Sequence, residues 1–592
     1  MKKHLILLLT AAVMAVGCID FDGDDNTPID NGTEPVVNPV DETTFETQIV
    51  PASTVAGTSY DFGDTDTSDD NIANTTFDRV ISIVFGGSQA TVTGDEKGIV
   101  TVDGNRVTVN NTTKEAIVYD LSGTATDGFF KLYSSKKQAI RLSGLGLANP
   151  SGAAINNQSK KRTFVIVEGS NALSDGASYT ATPDDEDEKA AFFSEGQLIF
   201  VGGGSLVVKA KGKAGITSDD YVRFMSSPTV KVTSSAGHAV RGKDAIIVTA
   251  GSVTAATSAN MKKGFTSDSL VRFEGGKTVI SVTGSAAYDS EDAEYTGTAG
   301  VKADILFEMI DGSLEIFNSG TGGKGISGDA NGYFKGGTVT VTTTGANYGQ
   351  SNNNGFGPGG RPGQSSTSSD DNSVSAKGIK FDGNLSFTGG TVSVTCKSHE
   401  GIEAKGTLDI SGGSIFSYSS DDAINSAGNM TISGGYVCAI STGNDGLDAN
   451  GNCYIKGGVV YAVGSGGAEV AIDANTEDGK KLYVQGGTVV AIGGLERGAE
   501  LSQSCYSASS WNRSTWYALY NGSDQALVFK APGTGGSGIV VSTTGTPSLK
   551  SGVSVSGGTD LFGGYGVTGA SVTGGANVKL SAYTSNSGFG PR

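Results

Sequence analysis

Histidine is nearly missing from this chain, cysteine is scarce, and basic residues are outnumbered by acidic ones. The only histidines among 592 residues are His4, His238 and His399, so no Ser-His-Asp arrangement is apparent. Five cysteines (Cys18, Cys396, Cys438, Cys453 and Cys505) show no CxxC spacing. That leaves a zinc or redox site unsupported. A formal net charge of −19 argues against a nucleic-acid partner held through its phosphates. Beyond the first eighteen residues no long stretch carries a 3.6-residue apolar period, which argues against a helical architecture. Aromatic residues make up only 8%.

What is abundant is glycine, at ninety residues. From Gly203 to Gly487 one phrase recurs: a short alternating strand, Gly-Gly or a similar small pair, then a second alternating strand. Clear copies are 385–394 (LSFTGGTVSV), 408–418 (LDISGGSIFSY), 430–439 (MTISGGYVCA), 453–462 (CYIKGGVVYA) and 482–491 (LYVQGGTVVA). A fixed period of roughly two dozen residues with strand alternation predicts a solenoid of stacked coils. Two residues before each pair stands an apolar residue (Phe273, Phe334, Phe387, Ile410, Ile432, Ile455, Val484). About ten residues after it comes an x-Gly/Ala-apolar-x phrase whose apolar member runs Ile216, Val240, Phe265, Val301, Ile326, Ile379, Ile402, Ile424, Leu447, Ile472. Stacking the coils turns these positions into continuous inward columns. The fold class expected is all-β, a parallel β-helix with a C-terminal β cap, because an open solenoid end must be covered. Cys453 falls in an inward column, where small apolar filling is its role; an exported protein could also pair Cys396, Cys438, Cys453 and Cys505.

The amino terminus indicates where the protein lives. Lys2-Lys3, an apolar run and Ala15-Val16-Gly17-Cys18 form a secretion signal with a lipobox-like end, predicting acylation of Cys18. The acidic residues Asp20, Asp22, Asp24 and Asp25 resemble the export tag of surface lipoproteins, with an acidic tether as the plainer alternative. The expected organisation is a signal at 1–18, a flexible acidic tether at 19–75, irregular coils at 76–195, regular β-helix at 196–495, and a cap or small β module at 496–592. The expected location is the outer membrane, facing outward. Excursions from the repeat fall at 184–188, at 289–294 and at 344–375, which includes GFGPGGRPG.

The phrases 121–128 (LSGTATDG), 139–144 (AIRLSG), 152–156 (GAAIN), 171–176 (NALSDG) and 185–191 (DEDEKAA), with the later GG repeats, resemble the bacterial carbohydrate-binding-domain family of exported β-helix proteins. The resemblance covers about residues 80–500. It implies a right-handed parallel β-helix similar to pectate lyases, calcium sites, and binding of cellulose or polygalacturonate (pectin) without established turnover.

The x-Gly-apolar-x phrase also carries charge. At its first position Lys263, Lys324 and Lys377 give way to Glu400, Asp422 and Asp445; at its last, Arg241, Lys302 and Lys380 give way to Glu403, Asn425, Asp448 and Asp473. Like carboxylates about 5 Å apart repel unless a cation intervenes. Calcium takes six to eight oxygens of the kinds these loops offer, so Glu400, Glu403, Asp422, Asn425, Asp445, Asp448 and Asp473 are candidate ligands, with Asp421, Asn444 and Asn450 beside them. The plainer alternative is turn chemistry. Lys263, Lys324, Lys377 and Lys380 are candidates for pairing with uronate carboxylates. Phe416, Tyr418, Tyr436 and Tyr461, with Trp511 and Trp516, are candidate sugar platforms, or else the surface onto which the 500–520 segment folds back. The rival readings are a calcium-dependent lyase using Lys377, Lys380 or Lys405 as base, and a structural surface protein or adhesin.

Overall fold

The computed structural model describes residues 67–180, 183, 186–349 and 373–585. The signal with Cys18, residues 19–66 of the tether and the GFGPGGRPG stretch lie outside them. The described chain is a parallel β-helix of about 14 turns, and its only helical pieces are short 3-10 turns. Each regular coil has three faces. Leu270–Phe273, for example, lies on the first, Lys277–Val282 on the second and Ala299–Ala303 on the third. The first two faces merge into one 30-stranded sheet because Leu385–Cys396 and Leu408–Ser419 run unbroken through the corner between them. The third face is a separate 14-stranded sheet.

The Gly-Gly pair is that corner. A Cβ on Gly412 would sit 2.3 Å from the Thr388 carbonyl oxygen of the coil below, and Gly413 takes φ +84°. The first glycine is therefore required by close stacking and the second by left-handed backbone. The expected inward columns are in register. Phe334 pairs with Phe387, then Ile410, Ile432, Ile455 and Val484 follow. Ile326, Ile379, Ile402, Ile424 and Leu447 form the third-face column, with Ile472 bridged to Leu447. All are buried. Phenylalanines stack inside, with centroids 5.0 Å apart for Phe200–Phe224 and 4.7 Å for Phe334–Phe387.

Next to the third-face column stands a glycine that also faces inward. A Cβ on Gly325 would lie 2.2 Å from Val341 Cγ1 and 2.6 Å from the Gly378 carbonyl oxygen. Gly325→Ala should therefore lower stability by about 2 kcal/mol through overpacking. A urea midpoint equal to wild type would refute this.

The excursions add no coils. Thr338–Thr343 pairs directly with Thr391–Cys396, so all of the excess before Lys377 leaves the solenoid between its second and third faces. The hairpin of Ala287–Asp289 and Glu294–Thr296 leaves from the same corner two coils earlier. At the amino end, residues 67–75 are docked rather than free: buried Asp70 accepts from Arg162 Nε at 2.9 Å and Arg223 Nη1 at 3.2 Å. At the carboxyl end, strands between Trp516 and Asn577 form a six-stranded antiparallel sheet. It covers the outer side of the second face in a second core that includes Phe416, Cys438, Tyr461, Tyr517 and Phe529. Reversed strands also close the stack. Thr91–Thr93 runs antiparallel to Arg79–Phe85, Val100–Asp103 to Asn105–Asn111, and Ile539–Ser542 to Thr488–Ile492. Cys396, Cys438, Cys453 and Cys505 are buried and free.

Candidate functional site

On the third face two successive residues, the glycine and the apolar one, both turn inward. The residues on either side of them are left on the outer surface as two columns flanking a bend. Pairing places Lys263, Ala299, Lys324 and Lys377 in one column, and Lys302, Ser327, Lys380, Glu403, Asn425 and Asp448 in the other. The change from basic to acidic residues read from the sequence is therefore a physical seam between neighbouring coils.

Lys377 sits on that seam. Its ammonium lies 3.1 Å from Glu400 Oε2 and is hydrogen-bonded to Glu403, whose other oxygen holds Lys405. Burial favours loss of the Lys377 proton, but Glu400 and Glu403 outweigh it and hold the pKa above the usual lysine value. Lys380 pairs with Asp382 at 2.5 Å. A lysine kept protonated by carboxylates is a poor general base. All three lysines proposed as bases are thus engaged in ion pairs. Burial works to raise Glu400, yet His399 and Lys377 bring it down to about 2.

Beyond the seam Asp422, Asp445, Asp448 and Asp473 have no lysine or arginine within ion-pairing distance among the described residues. The Asp445 amide donates to Asp422 Oδ1 at 3.1 Å. Asn425 Nδ2 donates to Asp422 Oδ2 at 3.1 Å and to Asp448 Oδ2 at 2.6 Å. Oxygens of Asp445, Asp448 and Asp473 all lie within 4.8 Å of one another. Two oxygens on opposite sides of one calcium stand about 5 Å apart. Burial first, then Glu469, Asp448 and Glu496, push the Asp445 carboxyl up to about 8 against the Val470 amide that donates to it. Asp422, Asp448 and Asp473 are raised too, by burial before the neighbouring negative charge. Carboxyls crowded in this way take up either protons or a cation.

The structure thus brings Asp422, Asn425, Asp445, Asp448 and Asp473 together. Glu403, next to Asn425 in the column, is engaged by Lys377 and Lys405 instead, and Glu400 groups with His399 and Asp421. Glu496 joins the acidic column without having been expected. It follows Leu495, which bridges to Ile472, so it continues the column of Asp448 and Asp473 one coil further. The repeat spacing could have shown it. Asn444 donates to Asp421 at 2.8 Å behind the column.

On the basic side Lys263 donates to the Met261 carbonyl at 2.8 Å. Burial, then the positive charge of neighbouring lysines, pushes both Lys263 and Lys324 down to about 8.

The aromatic platforms need correction. Phe416 is buried and stacks on Tyr565 at 5.9 Å, and Tyr418 stacks on the same ring. Tyr461 is fully buried, its hydroxyl donating to the Lys530 carbonyl at 3.0 Å. Trp511 Nε1 donates to the Gly536 carbonyl at 2.8 Å, and Trp516 packs in the small C-terminal core. The cause is the C-terminal sheet, which uses these rings as its own apolar support. Tyr436 remains 37% exposed. A pair not expected, Tyr454 and Tyr483, stacks at 4.9 Å on the outer side of the first face.

A family model described as carbohydrate-binding domain-containing protein matches residues 103–423 and 394–446. No curated protein matches the chain. One similar solved structure is the polysaccharide lyase-like protein from C. thermocellum, as a gadolinium derivative. It aligns with a TM-score of 0.30 and 16% identity over 56% of this chain and 96% of that one.

Proposed function

We propose, from the premise that the chain belongs to the family of carbohydrate-binding domain-containing proteins, that it binds an acidic or cellulosic plant-type polysaccharide with the help of calcium and without turnover. The observation that carries the calcium half of this reading is the crowding of Asp422, Asp445, Asp448 and Asp473 on successive coils. A divalent ion held there would relieve their repulsion and leave coordination positions for uronate oxygens. In the same reading, acylation at Cys18 anchors the protein in the outer membrane with the solenoid facing outward.

Binding is preferred over lyase chemistry because Lys377, Lys380 and Lys405 are all ion-paired. A lyase reading would instead rest on Lys263 or Lys324, whose lowered pKa suits a base. The test is absorbance at about 235 nm, where the unsaturated product of uronate elimination absorbs, alongside retention on polygalacturonate, with calcium and with chelator. Calcium-dependent retention without absorbance growth is the expected result. Absorbance growth would make the protein a lyase, and absence of retention on both polygalacturonate and cellulose would overturn the reading.

A further inference from the structure

Lys263 and Lys324 stand two coils apart on the third face with Ala299 between them. Neither ammonium has a carboxylate within ion-pairing distance among the described residues, whereas Lys302, Lys377 and Lys380, in the same and the facing column, do. Lys302 has Asp304 and Asp329, Lys377 has Glu400 and Glu403, and Lys380 has Asp382. Ala299, a small buried side chain, is the residue between the two in that column. Lys324 Nζ packs beside Gly297, where a Cβ would lie 3.4 Å from it. Two uncompensated cations held partly out of water are costly unless an anion joins them.

The excursions supply the rest of the site. The hairpin brings Tyr288 and Tyr295, and the second excursion brings Tyr348, paired with Val374 through reciprocal amide-to-carbonyl bonds of 2.8 and 3.0 Å. The two excursions start two coils apart but meet over the middle coil. A Cβ on Gly322 would lie 2.8 Å from Ala286 Cβ and 3.1 Å from the Cβ atoms of Tyr348 and Val374. The three rings form one cluster, with centroids 5.2 Å apart for Tyr288–Tyr295 and 5.7 Å for Tyr295–Tyr348. Val374 also lies 2.9 Å from that Gly297 Cβ position, which ties the cluster to Lys324. Tyr288 is 52% exposed.

We infer that Lys263 and Lys324, with the Tyr288–Tyr295–Tyr348 cluster, form a subsite for a carboxylate-bearing sugar chain, separate from the acidic column. The ammonium groups take the carboxylates and the exposed tyrosine offers a face to a sugar ring. The lysine backbones are about 10 Å apart, a span suited to separate carboxylates of one chain rather than a single small anion. This assignment rests on the carbohydrate-binding reading and names its charge class.

The experiment compares retention of the wild type, Lys263→Gln/Lys324→Gln and Tyr288→Ala on polygalacturonate and on its fully methyl-esterified form. Chelator is present throughout, so that calcium bridging does not contribute. Circular dichroism confirms that each variant is folded. The wild type should bind the acidic polymer at least tenfold more tightly than the ester. The lysine double variant should lose at least tenfold on the acid alone, and Tyr288→Ala should weaken both. Wild-type affinity of the folded double variant for the acid would overturn the subsite and leave the binding reading intact. So would wild-type retention on cellulose but not on polygalacturonate. Failure of the wild type on polygalacturonate in chelator, with retention regained in calcium, would overturn the subsite and leave the binding reading intact. Failure on polygalacturonate, its ester and cellulose in calcium as well would overturn the binding reading itself.

Discussion

Replacing Lys377 by methionine is expected to lower the stability of the solenoid by about 3 kcal/mol, because it leaves two buried carboxylates without their shared cation. Glu403 is 1% exposed and Glu400 is also buried. The lower end of the usual range for a broken buried pair applies, since Glu403 keeps Lys405 and Glu400 keeps His399. The effect is read as the shift in denaturant midpoint in chelator. Millimolar calcium should recover part of it, because the freed carboxylates adjoin the acidic column. A variant as stable as wild type in chelator would show that Lys377 does not hold the seam.

In chelator, raising the pH from about 5 to about 8 is expected to lower the thermal midpoint by a few degrees, and calcium is expected to restore it. Asp445, pushed up to about 8, binds its proton more tightly folded than unfolded. Its contribution is therefore present below the ordinary carboxyl pKa and lost as pH rises through about 8. Asp422, Asp448 and Asp473 are shifted in the same direction. Glu400, drawn down to about 2, works oppositely, and its contribution is lost as pH falls through about 2. It lies outside the tested window. Calcium displaces the protons and adds about 2.7 kcal/mol once its concentration is a hundredfold above its dissociation constant. Asp445→Ala with Asp448→Ala should flatten the pH slope and weaken calcium binding at least tenfold, leaving the strand signal intact. Unchanged calcium affinity in that pair would rule out the acidic column as the site.

Stacking made most of this legible. A coil pairs only with its neighbours, so residues at equal places in the repeat must meet, and the columns of Ile326 and of Asp448 could be read from spacing alone. The same reasoning reaches Glu496 once Leu495 is recognised as the next apolar member. What spacing cannot reveal is what covers an outward residue. Phe416 and Tyr461 could be read either as sugar platforms or as support for a folded-back C-terminal segment, and nothing in a strand's alternation decides between the two; the C-terminal sheet covers them. Nor does spacing show which carboxylate a lysine chooses, since Lys377 reaches across its seam while Lys263 has none within ion-pairing distance among the described residues. The meeting of Tyr295 with Tyr348 depends on two insertions bending toward each other over Gly322, a contact outside the repeat altogether.

The reversed strands at the ends of the stack bear on what the molecule cannot become. A pile of parallel coils behaves like a crystal face, since its last layer is a template for another identical layer. Thr91–Thr93 at one end, and at the other Ile539–Ser542 on the second face, followed by Cys505–Ala508 and Ser581–Ala582 in alternating directions, replace the next parallel layer with reversed chain. An antiparallel ladder offers hydrogen-bond positions of a different spacing from the one a further parallel coil requires. In the language of crystal growth these strands are built-in poisons, adsorbed at the growth fronts. They let a sequence that repeats itself for hundreds of residues stay finite where many copies are crowded together.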